Sequence, residues 1–88
     1  MKNNRVNKIP LAPIREDLQK ARIRCGIEQV NMRINHSIDV QYIEDQKKIR
    51  KNITINLLLK LCKIYYPENP VDHAFQLRDK ALGIKEEE

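Results

Sequence analysis

The amino-acid sequence predicts an all-α fold, and three features carry that expectation. Only two Gly and four Pro interrupt the 88 residues, so the segments between them are long. Lys, Glu, Gln, Leu, Ile and Arg fill those segments, and all are residues that lose little freedom in a helix. Apolar positions also recur at helical rather than strand spacing. A chain of this length has room for one domain around one core, and a two-domain enzyme is not expected.

Residues 1–13, MKNNRVNKIPLAP, combine Asn, Lys and Arg with two prolines and little apolar periodicity. They read as a flexible or extended basic arm. The folded domain is expected over 14–83. Ile14, Leu18, Ala21 and Cys25 fall on one face of a first helix that Gly26 ends. Ile27, Val30 and Ile34, with Met32 beside them, predict a short second helix over about 28–35. Asn35, His36 and Ser37 then form a polar turn. Asp39 caps a third helix that buries Val40 and Ile43 and runs to about Lys48. Thr54 caps the fourth and most strongly patterned helix, with Ile55, Leu58, Leu59, Cys62 and Tyr66 on its inner face. After the break at Pro67, Asn69 and Pro70 start a fifth helix over 70–82, with Val71, Ala74, Phe75 and Leu82 as its stripe and Gly83 as its stop. Residues 84–88 close the chain as an acidic tail.

The formal charge of +5 is unevenly spread. Residues 1–25 hold seven basic and two acidic groups, and residues 47–63 hold six basic and none acidic. The stretches 26–46 and 64–88 are net acidic. Clustered positive charge favours a polyanion, because each neutralised phosphate releases condensed counterions. Two ordinary solvated faces are the alternative.

Cys25 and Cys62 are far apart and form no CxxC pattern, and no apolar run has the length of a leader or a membrane span. A cytoplasmic chain with reduced thiols and no membrane association is the expectation. Cys25, His36, Cys62 and His73 lack the close spacing of a metal site, and both thiols are expected on core faces. No nucleophile, base and orienting group can be assembled, nor a glycine-rich phosphate loop, so neither enzymatic activity nor a cofactor is expected.

Helix, glycine, short helix, polar turn, short helix, loop and longer helix form a recognisable order. Leu18-x-x-Ala21-Arg22-x-x-x-Gly26-Ile27-Glu28-Gln29, then Ile38-Asp39 and Tyr42-Ile43, then Thr54-Ile55-Asn56-x-Leu58-Leu59-Lys60-Leu61 run without a gap. In this the chain resembles the lambda-repressor-like (Cro or XRE-type) helix-turn-helix family. The resemblance implies a five-helix bundle and a sequence-specific, repressor-like transcriptional regulator of phage or bacterial type that binds double-stranded DNA. It implies Gln29 near a phosphate and the segment 39–47 as the recognition helix in the major groove. Asp39, Gln41, Tyr42 and Asp45 are then candidates for base or backbone contact. Lys47, Lys48, Arg50 and Lys51 would follow toward the phosphates, and Arg5 and Lys8 would reach the duplex from the arm.

Dimers suit this family because two recognition helices then meet successive major grooves about 34 Å apart, and the 70–82 helix is the candidate homodimer face. The same helix can instead close the core. The family's pattern is departed from at Arg33, where a small residue is usual, and at Ser37, where a turn glycine is usual. His36, Gln46 and Lys47 also replace a leucine, an apolar residue and a glutamate. With Asp39, Glu44 and Asp45 on the recognition segment, these departures motivate an alternative. It is a protein-interaction module on a helix-turn-helix scaffold, such as an anti-repressor or an adaptor that binds another regulator. An RNA-binding domain is disfavoured by the lack of interleaved aromatic and basic positions.

Overall fold

The computed structural model describes residues 8–45, 47 and 50–83. Within them the chain is mostly helical, with one small antiparallel strand pair. The order is β1 (Ile9–Pro10), a single 3-10 turn (Ala12–Ile14), α1 (Arg15–Arg24), α2 (Gln29–His36), α3 (Gln41–Glu44), β2 (Asn52–Ile53), α4 (Ile55–Tyr65) and α5 (Pro70–Leu82). No helix among these residues is long and apolar enough to cross a membrane.

The expected arm is the first correction. Ile9 and Leu11 are fully buried, and β1 pairs with β2 so that Ile9 lies opposite Ile53. The Leu11 amide donates to the Lys51 carbonyl at 2.9 Å and extends the pairing past the strands. Ile9 and Leu11 alternate with Lys8 and Pro10 at the period of a strand, a pattern too short to stand out from sequence. Pro10 lacks an N–H and sits opposite Asn52 on an edge, where no central ladder bond is lost. The extended part of the arm reading therefore applies from Ile9 onward and the flexible part does not. Arg5 lies outside the described residues.

The helices start and stop for local reasons. Gly26 takes the left-handed conformation (φ 73°), the Gly26 amide donates to Ile23 O and the Ile27 amide to Arg22 O, which closes α1 as a Schellman end. Ser37 takes the same left-handed region (φ 58°) at the end of α2, a conformation that costs a residue with a Cβ roughly 1 kcal/mol. The Thr54 hydroxyl accepts from the Leu57 amide at 3.1 Å and caps α4 as expected. α5 begins at Pro70 and ends at a left-handed Gly83 (φ 78°), although Asn69 makes no side-chain cap.

The core is one cluster in which Leu18, Met32, Val40, Ile43, Leu58 and Leu61 meet the β1–β2 residues and Tyr65. α5 packs along α4, β1 and the 3-10 turn. Several predicted faces are rotated. α2 buries Met32 alone, whereas Val30 and Ile34 point outward, Ile34 at 69 % exposure. α4 buries Leu58, Leu61, Cys62 and Tyr65, with Ile55, Leu59 and Tyr66 at the margin. α5 buries Ala74 and Ala81 and leaves Val71, Phe75 and Leu82 exposed. Cys25 is exposed beyond the end of α1, its Sγ 3.3 Å from the Tyr65 carbonyl, while Cys62 is buried as expected.

Candidate nucleic-acid interface

α3 is a single turn, Gln41–Glu44, where a helix over 39–47 was expected. One turn leaves most of its backbone groups without helical partners, so side chains must supply them. Asp39 Oδ1 accepts from the Gln41 amide at 3.3 Å, and Asp45 Oδ1 accepts from the Lys47 amide at 2.9 Å, which turns the chain out of the helix at Asp45. Asp45 adopts an extended conformation (φ −87°, ψ 117°) and the helix cannot continue through it. Ile38, Val40 and Ile43 hold the turn down on the core.

Two arginines of α1 complete the anchorage. Arg15 Nη1 donates to the Ile43 carbonyl at 2.6 Å, and Arg15 Nη2 donates to the Arg50 carbonyl at 2.8 Å. A single guanidinium fork thus spans α3 and the far end of the loop behind it, a geometry lysine cannot reproduce. One heptad further along α1, Arg22 Nε and Nη2 donate to the two oxygens of Glu44 at 2.8 and 2.9 Å, and Arg22 Nη1 donates to the Ile27 carbonyl. Arg22 is 7 % exposed and Glu44 9 %, so this is a buried bidentate pair. Its hydrogen bonds to Glu44 push the Arg22 pKa up against the opposing effect of burial. Gln29, the first residue of α2, joins the network by donating Nε2 to Glu44 Oε1 at 3.1 Å.

Glu44 was expected as one of three carboxylates on the face of the recognition segment. It is instead an internal group, satisfied by Arg22 and Gln29. The surface that remains is more basic than the sequence suggested. Gln41 and Tyr42 are exposed on the outer side of α3, and Asp39 and Asp45 each spend an oxygen on a backbone amide. Lys47, Arg50 and Lys51 are exposed around them, and Lys8 is exposed just before β1. Lys48 lies outside the described residues.

Two shallow depressions flank the turn. One, of about 450 Å³, is lined by Gln19, Gln29, Gln41, Glu44, Asp45 and Lys47. The other, of about 400 Å³, includes Ser37, Asp39, Tyr42, Arg50 and Lys60. Gln29, Gln41, Asp45 and Lys47 are therefore brought together on one side, and Asp39, Tyr42 and Arg50 on the other. Gln19 and Lys60 were missed by the sequence reading. Lys60 belongs to the basic block 47–63 and stands on the outer face of α4, so block charge combined with helical phase was a sufficient signal. Arg15 carried no signal, since its partners are main-chain carbonyls 28 and 35 residues away.

Among the described residues no group of three or more His, Cys, Asp or Glu could hold a metal ion. Comparison with protein-family models, with curated proteins and with solved structures finds no match to this chain.

Proposed function

We propose that the chain is a sequence-specific DNA-binding transcriptional regulator of helix-turn-helix build, with α2 and α3 as the two helices of the motif. The observation that carries this reading is the internal Arg22–Glu44 pair, which takes the carboxylate off the face of α3 and leaves Lys47, Arg50, Lys51 and Lys60 exposed around it. On this reading those four cations, with Gln29 at the start of α2, hold phosphates. Gln41 and Tyr42 meet base edges, Gln through its bidentate match to adenine and Tyr by contact with a thymine methyl. Because α3 is one turn long, only its first residues and the loop behind it reach the groove. A second copy docked on Val71, Phe75 and Leu82 of α5, all exposed on one stripe, would supply the second half-site.

A protein partner is the second reading. It is favoured by Val30 and Ile34, which are apolar and exposed four residues apart on the outer face of α2.

Fluorescence anisotropy on random duplex DNA across about 50–200 mM salt separates the two. The expected result is binding with a steep negative salt slope, and a slope shallower by about 3.6 when Lys47, Arg50, Lys51 and Lys60 are replaced by Ala. No binding at the lowest salt would overturn the DNA reading and favour the protein partner.

A further inference from the structure

Arg50 and Lys51 lead directly into β2, and the segment 11–15 grips their main chain there. Arg15 Nη2 donates to the Arg50 carbonyl at 2.8 Å, and the Leu11 amide donates to the Lys51 carbonyl at 2.9 Å. Two consecutive carbonyls of the basic stretch are thus each held by a separate donor. We infer that Arg15 is a positioning residue for nucleic-acid binding, which fixes the Arg50 main chain beside α3 before a phosphate is met. This role rests on the DNA reading above, since that reading gives Arg50 its phosphate.

The donors stand on a stiff base. Leu11 and Ile14 are fully buried, and the Ile14 amide donates to the Leu11 carbonyl at 2.9 Å across the 3-10 turn. Leu18, one turn further into α1, is buried as well. The start of α1, from which Arg15 projects, therefore cannot shift without moving the core. On the acceptor side Ile53 is buried and paired with Ile9, which stops Lys51 from sliding along the sheet. Arg15 Nη1 donates to the Ile43 carbonyl at 2.6 Å, so the planar fork also sets the spacing between Arg50 and the end of α3.

The side chains of the held residues are left outside. Arg50 and Lys51 are both exposed, and Arg50 borders the depression that it shares with Asp39, Tyr42 and Lys60. A cation on an unheld loop loses main-chain as well as side-chain freedom when it meets a phosphate. On a held peptide only the side-chain loss remains, and Arg15 removes the other. Lys60 needs no such help, because α4 already fixes its main chain. The two cations border one depression and differ in how their backbones are held, so Arg50 depends on Arg15 and Lys60 does not. Because the fork is spent on two carbonyls, the contribution of Arg15 is geometric. A lysine at this position keeps the charge and loses the fork.

The test is a double-mutant cycle read by fluorescence anisotropy on a random duplex, where phosphate contacts dominate. Arg15→Lys is expected to weaken binding about five- to tenfold, the cost of ordering the main chain of about one residue. In an Arg50→Ala background the same change should cost less than about twofold, whereas in a Lys60→Ala background it should cost the full factor. A merely structural role would carry the full factor into both backgrounds. NMR relaxation of the free wild type should find the Arg50 amide as ordered as those of α4, with an order parameter of about 0.85. Arg15→Lys should lower that value at Arg50 and leave it unchanged at Leu58.

Equal costs in the two backgrounds, wild-type affinity in Arg15→Lys, or a mobile Arg50 amide in the free wild type would each overturn the role of Arg15 and leave the DNA reading standing. No binding by the wild type at the lowest salt would overturn both.

Discussion

α4 and α3 are helices of one small fold held by opposite means. α4 is eleven residues long, caps itself with Thr54, and seats Leu58, Leu61, Cys62 and Tyr65 in the core. α3 is four residues long, and its ends are anchored by groups borrowed from elsewhere: Arg15 and Arg22 from α1, Gln29 from α2, and the flanking Asp39 and Asp45. The first arrangement follows from periodicity and burial. The second is a set of polar clamps whose strength depends on being dry and complete. A segment intended to present side chains to a partner gains from this design, since its outer face is not needed for packing.

The comparison is broken most severely at the buried pair. Arg22→Ala is expected to destabilise the fold by about 3–5 kcal/mol, because Glu44 is left as an uncompensated internal charge. A double replacement, Arg22→Met with Glu44→Leu, should recover most of that loss while freeing Gln29 from its partner. Chemical denaturation of the three proteins checks both statements. A small cost for Arg22→Ala would mean that water reaches the pair and that α3 is held chiefly by Ile38, Val40 and Ile43.

In the apolar half, Cys62 gives a pH signature. Burial pushes its thiol up from 9.0 to about 11, so the folded chain binds this proton more tightly than the unfolded one. Stability from this group is fully present below pH 9.0 and is lost as pH climbs through about 11. The full displacement is worth about 2–3 kcal/mol. Thermal unfolding followed from neutral to alkaline pH should show a steeper decline in the wild type than in Cys62→Ala. Identical slopes would place the alkaline loss elsewhere.

The smallest change is expected where the two halves meet. The Tyr65 hydroxyl is buried without a hydrogen-bond partner among the described residues, and burial raises its pKa as it does that of Cys62. Tyr65→Phe removes the unsatisfied group and keeps the ring, so the midpoint of unfolding should rise by the equivalent of about 1 kcal/mol. A decrease would reveal that the hydroxyl has a partner in solution.

The same contrast explains which parts of the molecule were legible in the sequence. The limits of α4 and α5 follow from Thr54, Pro70 and Gly83, which act within one turn of their own position. Gln41, Tyr42, Asp45, Lys47 and Arg50 were expected as contact residues, and the fold places them on or beside α3, all exposed but the half-buried Asp45. The length of α3 was misjudged, because Asp45 turns the chain by a local side-chain bond while the pattern of Glu44, Gln46 and Lys47 resembles continuing helix. Glu44 was assigned to the surface, because a carboxylate is ordinarily exposed and its partner lies 22 residues away. Ile9 and Leu11 were assigned to an arm, because two alternating residues carry too little pattern to announce a strand. The errors at Glu44 and at Ile9 and Leu11 concern long-range pairing, which composition and periodicity do not encode, whereas the error at α3 is local and lies in the Asp45 turn.

Hydrogen exchange on Arg15→Ala tests the central claim most directly. If α3 and its loop are held by clamps from α1, the amides of Ile43, Glu44 and Asp45 should lose protection in this variant. Those of Leu58, Leu61 and Cys62 in α4 should exchange as in the wild type. Unchanged protection at 43–45, or an equal loss throughout α4, would contradict the account. Either result would return α3 to the apolar core as its source of order.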